Sequence, residues 1–231
     1  MTEAEWLACT DPLAMLQYVY LRNGGMVNQR KLRLFGLACC RRIWPRLADP
    51  RSRRAIEVAE RYVDGFATEE ELDDASAGAY AAWDAEWDLD EWEQATLAAG
   101  EQGQSLPLSA AAYNSTVPPE WWGGAPAFVA PNEIIRDAAT DRKVEGSGQC
   151  SLLRDIFNLF RMVTPDPIWL TPQVVALART IYDNRAFDLM PTLSNELAEA
   201  GCTNAEFMIH CRAAGEHVRG CWVIDALLGR E

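Results

Sequence analysis

Imidazole is scarce in this chain: its 231 residues include two histidines, His210 and His217. Any chemistry that needs a group titrating near neutrality must be built from that one stretch. No run of eighteen apolar residues occurs, so no membrane-spanning helix and no membrane partner is expected. The start, Met1-Thr2-Glu3-Ala4-Glu5-Trp6, is acidic where a secretory leader is basic and then apolar, and the expectation is a cytoplasmic protein. Strand-period alternation is missing, as are the Gly-x-Ser-x-Gly elbow, the phosphate-binding loop and the dinucleotide fingerprint. Among seven cysteines there is no Cys-x2-Cys pair, the strong mark of structural zinc. An odd count with Cys39 and Cys40 adjacent fits reduced thiols packed as small apolar groups.

Charge is unevenly spread. The net charge of −13 argues against nucleic acid as a partner of the whole surface. From Arg22 to Arg61 there are eleven Lys or Arg against three acids, whereas from Tyr62 to Ile135 there are fifteen Asp or Glu and no basic residue. The simplest expectation is that the two segments face each other. The sharper one is a basic groove for phosphate, with Arg41 and Arg42 in it and a helix start near Asp49-Pro50 as the anion seat.

What is present is helical. Thr2-x-x-Glu5 and Thr68-x-x-Glu71 have the capping-box form, and Asp11-Pro12, Asp49-Pro50 and Thr171-Pro172 pair an N-cap with Pro at N1. Asn28, Asn132 and Asn204 are further N-caps. Leu32, Phe35, Cys39 and Ile43 fall on one helical face and Gly36, Leu37, Cys40 and Trp44 on another, so this helix is expected to be largely buried. Gly201 and Gly229 stop helices. Leu72 to about Ala99 reads as one long acidic helix with Tyr80, Trp83 and Trp87 as its aromatic ridge. The span 100–131 is rich in Gly and Pro and reads as an irregular loop carrying Trp121 and Trp122, a lid or a patch for a partner. Gly146-Ser147-Gly148 reads as another break.

Four candidate sites follow. His210, Cys211, His217 and Cys221 offer imidazole and thiol together, and on a helix His217 and Cys221 would lie four apart on one side, a spacing zinc can use. His210 and Cys211, being adjacent, point about a hundred degrees apart. The plainer expectation is packed thiols with capping histidines. Cys150, placed at the mouth of a helix after Gly146-Ser147-Gly148-Gln149, is the candidate nucleophile, with His210 or His217 as its base. Asp225 lies on an otherwise apolar face and needs a cation. Arg41 or Arg42 is favoured, in a structural ion pair tying the last helix to the third. Trp121 and Trp122, with Arg41 and Arg42, are the candidate binding residues.

Ala38-Cys39-Cys40-Arg41-Arg42-Ile43-Trp44, Leu152-Leu153-Arg154-Asp155-Ile156-Phe157, Trp169-Leu170-Thr171-Pro172, Arg185-Ala186-Phe187-Asp188 and His217-Val218-Arg219-Gly220-Cys221-Trp222-Val223 resemble a group of uncharacterised bacterial proteins. These share an ACCRRIW stretch and an HCR...HVRGCWVxDxLLG tail. The likeness covers residues 1–70 and 150–229 and implies no activity. At Asn158-Leu159-Phe160-Arg161 the chain departs from the Gly-Asn-Pro-Phe-Arg-Pro expected there.

The sequence thus predicts an all-α, single-domain globular protein, with N-terminal helices over 1–99, the Trp-rich loop over 100–131 and C-terminal helices over 132–231. Its expected function is non-catalytic, as an interaction or regulatory module that binds a protein partner. The alternative is a zinc-binding protein or a cysteine-dependent enzyme using the His/Cys tail.

Overall fold

The capping signals mark real helix starts. In the computed structural model, which describes residues 1–22, 27–86, 108–118, 131–160 and 164–230, Thr2 closes its capping box on α1 (Glu3–Ala8). Asn28 accepts from the Lys31 N–H to start α3 (Gln29–Arg42), after α2 (Pro12–Arg22). Asp49 caps α4 (Pro50–Val63), and Thr68 and Glu71 exchange hydrogen bonds at the head of α5 (Glu69–Glu86). Then come α6 (Leu108–Thr116), α7 (Pro131–Asp137), α8 (Arg142–Ile156), α9 (Pro172–Asn184), α10 (Met190–Glu199), α11 (Ala205–Arg212) and α12 (Trp222–Leu228). The fold is all-α, with no strand among the described residues. None of the described helices is long and apolar enough to cross a membrane.

Several expectations change. Within the span read as irregular, Leu108–Thr116 has neither Gly nor Pro and forms α6, whose Ala110, Ala111 and Ala112 are wholly buried. Small side chains let this helix lie close to α3, where the Cys40 thiol points at the Ala111 carbonyl. Asn132 lies inside α7 rather than capping it. Gly146-Ser147-Gly148 does not break the chain but sits in α8. A Cβ on Gly148 would come 2.3 Å from Arg42 Nη2, so this glycine serves close packing, not a turn. Trp87 and the Trp121-Trp122 pair lie outside the described residues. The basic and acidic segments do pack on each other, α4 against α5 and α6 and α3 against α6 and α7. Of their ion pairs, Arg61–Glu71 and Arg30–Asp64 cross this contact, while the other paired cations of the basic segment take acids elsewhere. The expected anion seat at the start of α4 is filled by Asp49 itself, which accepts from the Arg51 N–H at 2.7 Å.

The apolar interior comes in two parts. One joins α1 to α8, with α3 in contact with α4, α6, α7 and α8; the other joins α9 to α12. Between them runs a polar seam. Asp225 does tie the last helix to α3, but through Arg30 at 2.6 Å and not Arg41 or Arg42, because Arg30 stands at the opposite end of α3, where Tyr182 and Asp64 also meet it. Arg41 pairs with Glu60, and Arg42 with Glu145 and Glu216. The loop 213–221 closes the seam by pressing Gly220, at φ +91°, against Leu34. A Cβ there would lie 2.9 Å from Leu34 Cδ1.

Gly220→Ala is therefore expected to cost about 2–4 kcal/mol, from the left-handed backbone and the lost space together. Gly201 has φ +85° with nothing within 4 Å, so Gly201→Ala should cost only about 1 kcal/mol. Urea denaturation of both variants measures this, and equal losses would remove the close approach at Leu34.

Candidate functional site

Asp155 sits near the C-terminal end of α8, facing the seam, and is 4 % exposed. Its sequence neighbours Leu152, Leu153 and Ile156 are wholly buried, so its position in the helix forces the carboxylate inward. Three donors meet it. His217 Nδ1 lies 2.6 Å from Oδ1, His210 Nε2 3.1 Å from the same oxygen, and the Val218 N–H donates to Oδ2 at 2.9 Å. Burial alone would raise this carboxyl, but the hydrogen bonds from His210 and His217 outweigh it and hold Asp155 below the usual carboxylate range.

The loop that carries His217 is not helical, contrary to expectation, since α12 begins only at Trp222. Left-handed Gly220 cannot continue a helix, and Val218, lying outside any helix, gives its N–H to Asp155. His217 and Cys221 are brought together across this loop rather than along one helix face. Cys221 Sγ lies 3.1 Å from His210 Nε2. Cys211, one residue from His210 on α11, points into the second core instead, and burial pushes its thiol up to about 12. The four converging donors are thus Asp155, His210, His217 and Cys221, within 4.8 Å of one another, with Asp155 in the place expected for Cys211.

Proton positions follow from Trp222. Its indole N–H can only donate, and it points at His210 Nδ1 at 3.0 Å. His210 Nδ1 must then be a bare acceptor, which puts the ring proton on Nε2, directed at Asp155 and Cys221. His217 donates from Nδ1, and its Nε2 is left buried with no hydrogen-bond partner. The His217 side chain is 7 % exposed and forms part of the wall of a cavity of about 260 Å³ in the seam. Leu34, Leu37 and Val218 line this space beside Arg41, Arg185 and Arg219. An Asp–His pair with a bare Nε2 can accept a proton or a hydrogen bond from a small molecule once the ring or its cover shifts enough to expose that nitrogen, which is buried as it stands.

Cys150 is not at a helix mouth. It lies well inside α8, is wholly buried, and has its thiol pushed up to about 12 by burial, so it lacks the environment of a nucleophile. Arg41 is engaged bidentately by Glu60 and stacks over Trp44 at 3.9 Å, and Arg42 is held by two glutamates. Trp121 and Trp122 lie outside the described residues. Asp155, Glu60 and Arg185 were not singled out in the sequence. Asp155 carried a usable signal, a carboxylate inside the apolar run 152–157, of the kind that drew notice to Asp225. Arg185 carried none.

No family model, curated protein or solved structure matches this chain.

Asp155 and Glu60 both lie below their ordinary values when folded, the latter because Arg41 and Arg185 outweigh its burial. Their contribution is complete above their unfolded values, about pH 4, and disappears as the pH falls through the lower folded values. Acid titration followed by near-ultraviolet circular dichroism should leave the seam intact to about pH 4 and loosen it below. Asp155→Asn should be about 1–3 kcal/mol less stable at neutral pH and show a shallower acid slope. An unchanged slope would mean that Asp155 is not ionised in the fold.

Proposed function

We propose that this protein binds a small molecule in the seam cavity, with His217 as the group that accepts a proton or hydrogen bond from it. The observation that carries this is the bare, buried Nε2 of a histidine whose other nitrogen is anchored on an ionised carboxylate. Leaving such a group without a partner costs about 1–3 kcal/mol, which a bound donor would recover. The space suits a ligand of about one ring, since a cavity of roughly 150 Å³ already holds benzene. The expectation of a protein partner rested on the exposed acidic helix, of which Glu69–Glu86 is described, and on Trp121 and Trp122, which lie outside the described residues. The cysteine-enzyme alternative has a buried, protonated Cys221 beside His210 and nothing nucleophilic in the cavity wall named above.

A second reading, zinc, is favoured by one observation, the approach of four donor atoms to within 4.8 Å. It requires Nε2 of His210 to give up its proton to Nδ1, which then faces the Trp222 N–H donor to donor, and it leaves the outer N–H of His217 buried without an acceptor. Two such losses weaken a metal by about two to four orders of magnitude without forbidding it.

Nitrogen-15 spectra of the histidine rings separate the two. The cavity reading expects a protonated Nε2 on His210, a bare Nε2 on His217, and a shift of the latter together with the Val218 amide when phenol is added as a neutral hydroxyl probe. His217→Phe should abolish the phenol response at Val218. No response at either group would overturn the proposal. Stoichiometric zinc in metal analysis, lost in His210→Ala, would replace it with the second reading.

A further inference from the structure

The seam cavity carries more positive charge than its own carboxylates take up. Arg41 commits both arms to Glu60, at 2.9 and 2.6 Å. Arg185 reaches the same Oε2 of Glu60. Arg219 donates to the backbone carbonyls of Tyr182 and Asp183; its nearest carboxylate, Asp64, is 4.0 Å away and is also approached by Arg30 at 3.4 Å and Arg230 at 3.2 Å. Glu216, the other acid in the wall, is held by Arg42. Three guanidinium groups therefore surround the cavity, with Glu60 as the one carboxylate among the described residues in close contact with any of them. Burial lowers Arg185 from its ordinary value, and the repulsion of Arg41 and Arg219 adds to it, so that Glu60 does not fully restore it.

Arg185 is also held in an unusual way. It caps α9 with φ 52° and ψ 34°, the left-handed conformation that glycine or asparagine normally supplies, and it is the one non-glycine residue with positive φ among those described. Among the described residues its one hydrogen bond goes to Glu60, which leaves most of its five N–H donors without a protein partner beside the cavity it lines. Strain of this kind, kept on a residue with a side chain, marks a position where the side chain is wanted.

We infer that the cavity takes a small oxyanion, a carboxylate or a phosphoryl group, bound by the unengaged N–H groups of Arg185 and attracted by the charge of Arg219 beside it. The same molecule must present a hydroxyl or other donor to His217, because the lone pair on Nε2 repels an oxyanion and the anionic end must therefore face the arginines. A hydroxy acid or a phosphorylated alcohol meets both demands. The His217 half of this assignment rests on the function proposed above, whereas the arginine half stands without it.

The test uses the full chain, with arginine and histidine side-chain resonances followed during titration with glycolate, acetate and inorganic phosphate, each against chloride at equal ionic strength. Expected are saturable shifts of Arg185 Nε–H with all three, and tighter binding of glycolate than of acetate. The stronger of glycolate and phosphate names the class. Arg185→Gly should weaken binding about tenfold or more with no loss of stability to urea, since glycine relieves the left-handed strain while Arg41 still neutralises Glu60. Arg185→Asn, which also tolerates that conformation, is the second variant. Shifts no different from chloride, or undiminished binding in both variants, would overturn the oxyanion site. If phenol still moves His217 in that case, the proton-accepting cavity survives alone. Oxyanions that move Arg185 while phenol leaves His217 unmoved would remove the earlier proposal and leave this one.

Discussion

A carboxylate withdrawn from water must be surrounded by donors, and the arrangement of the seam follows from what Asp155 requires. An uncompensated buried ion costs several kcal/mol. Meeting that demand takes a backbone N–H from Val218 and ring protons from His217 and His210. The Val218 N–H is available only because the loop 213–221 is not helical, since in a helix it would bond to residue 214. The non-helical path in turn needs Gly220 at positive φ to turn into α12, and that glycine rests on Leu34 of α3. One buried charge thus fixes a loop conformation, and the loop conformation fixes where the last helix docks.

The seam itself is a compromise between two apolar interiors that remain separate. Paired charges at such a boundary add little net stability, because desolvation offsets most of their attraction, yet a pair that loses one member is strongly unfavourable. Arg30, Asp64, Tyr182 and Asp225 form one interlocked group and Arg41, Glu60 and Arg185 another. Each holds together only in one register. Where apolar surfaces would slide, these contacts leave a defined gap, and the cavity is that gap.

Helix starts were legible in the sequence because capping chemistry is local: Thr2, Asn28, Asp49, Thr68, Thr171 and Asn204 each act on an N–H two or three residues away. The all-α class and the burial of the helix bearing Cys39 and Cys40 followed from period alone. Glycine misled twice, in opposite directions. Gly146-Ser147-Gly148 reads locally as a break, yet a guanidinium lies where the Gly148 side chain would be, and the helix that would align His217 with Cys221 is ended by the positive φ of Gly220 between them. Both errors concern a partner more than seventy residues away, which no local pattern encodes. The same holds for Asp225, whose need for a cation was legible while the choice of Arg30 was not. It holds equally for Asp155, which joins residues sixty positions downstream.

Two histidines share one carboxylate, and the identity of the one left available is decided by an indole. Trp222 uses the lone pair of His210 on one side and Asp155 and Cys221 take its proton on the other, so no nitrogen of His210 remains for another molecule. His217 touches Asp155 through one nitrogen alone. Its ring belongs to the wall that Arg185 and Arg219 also line, so a ligand that donates to the ring and carries an oxyanion for the arginines would be held at both ends, each contact making the other more favourable.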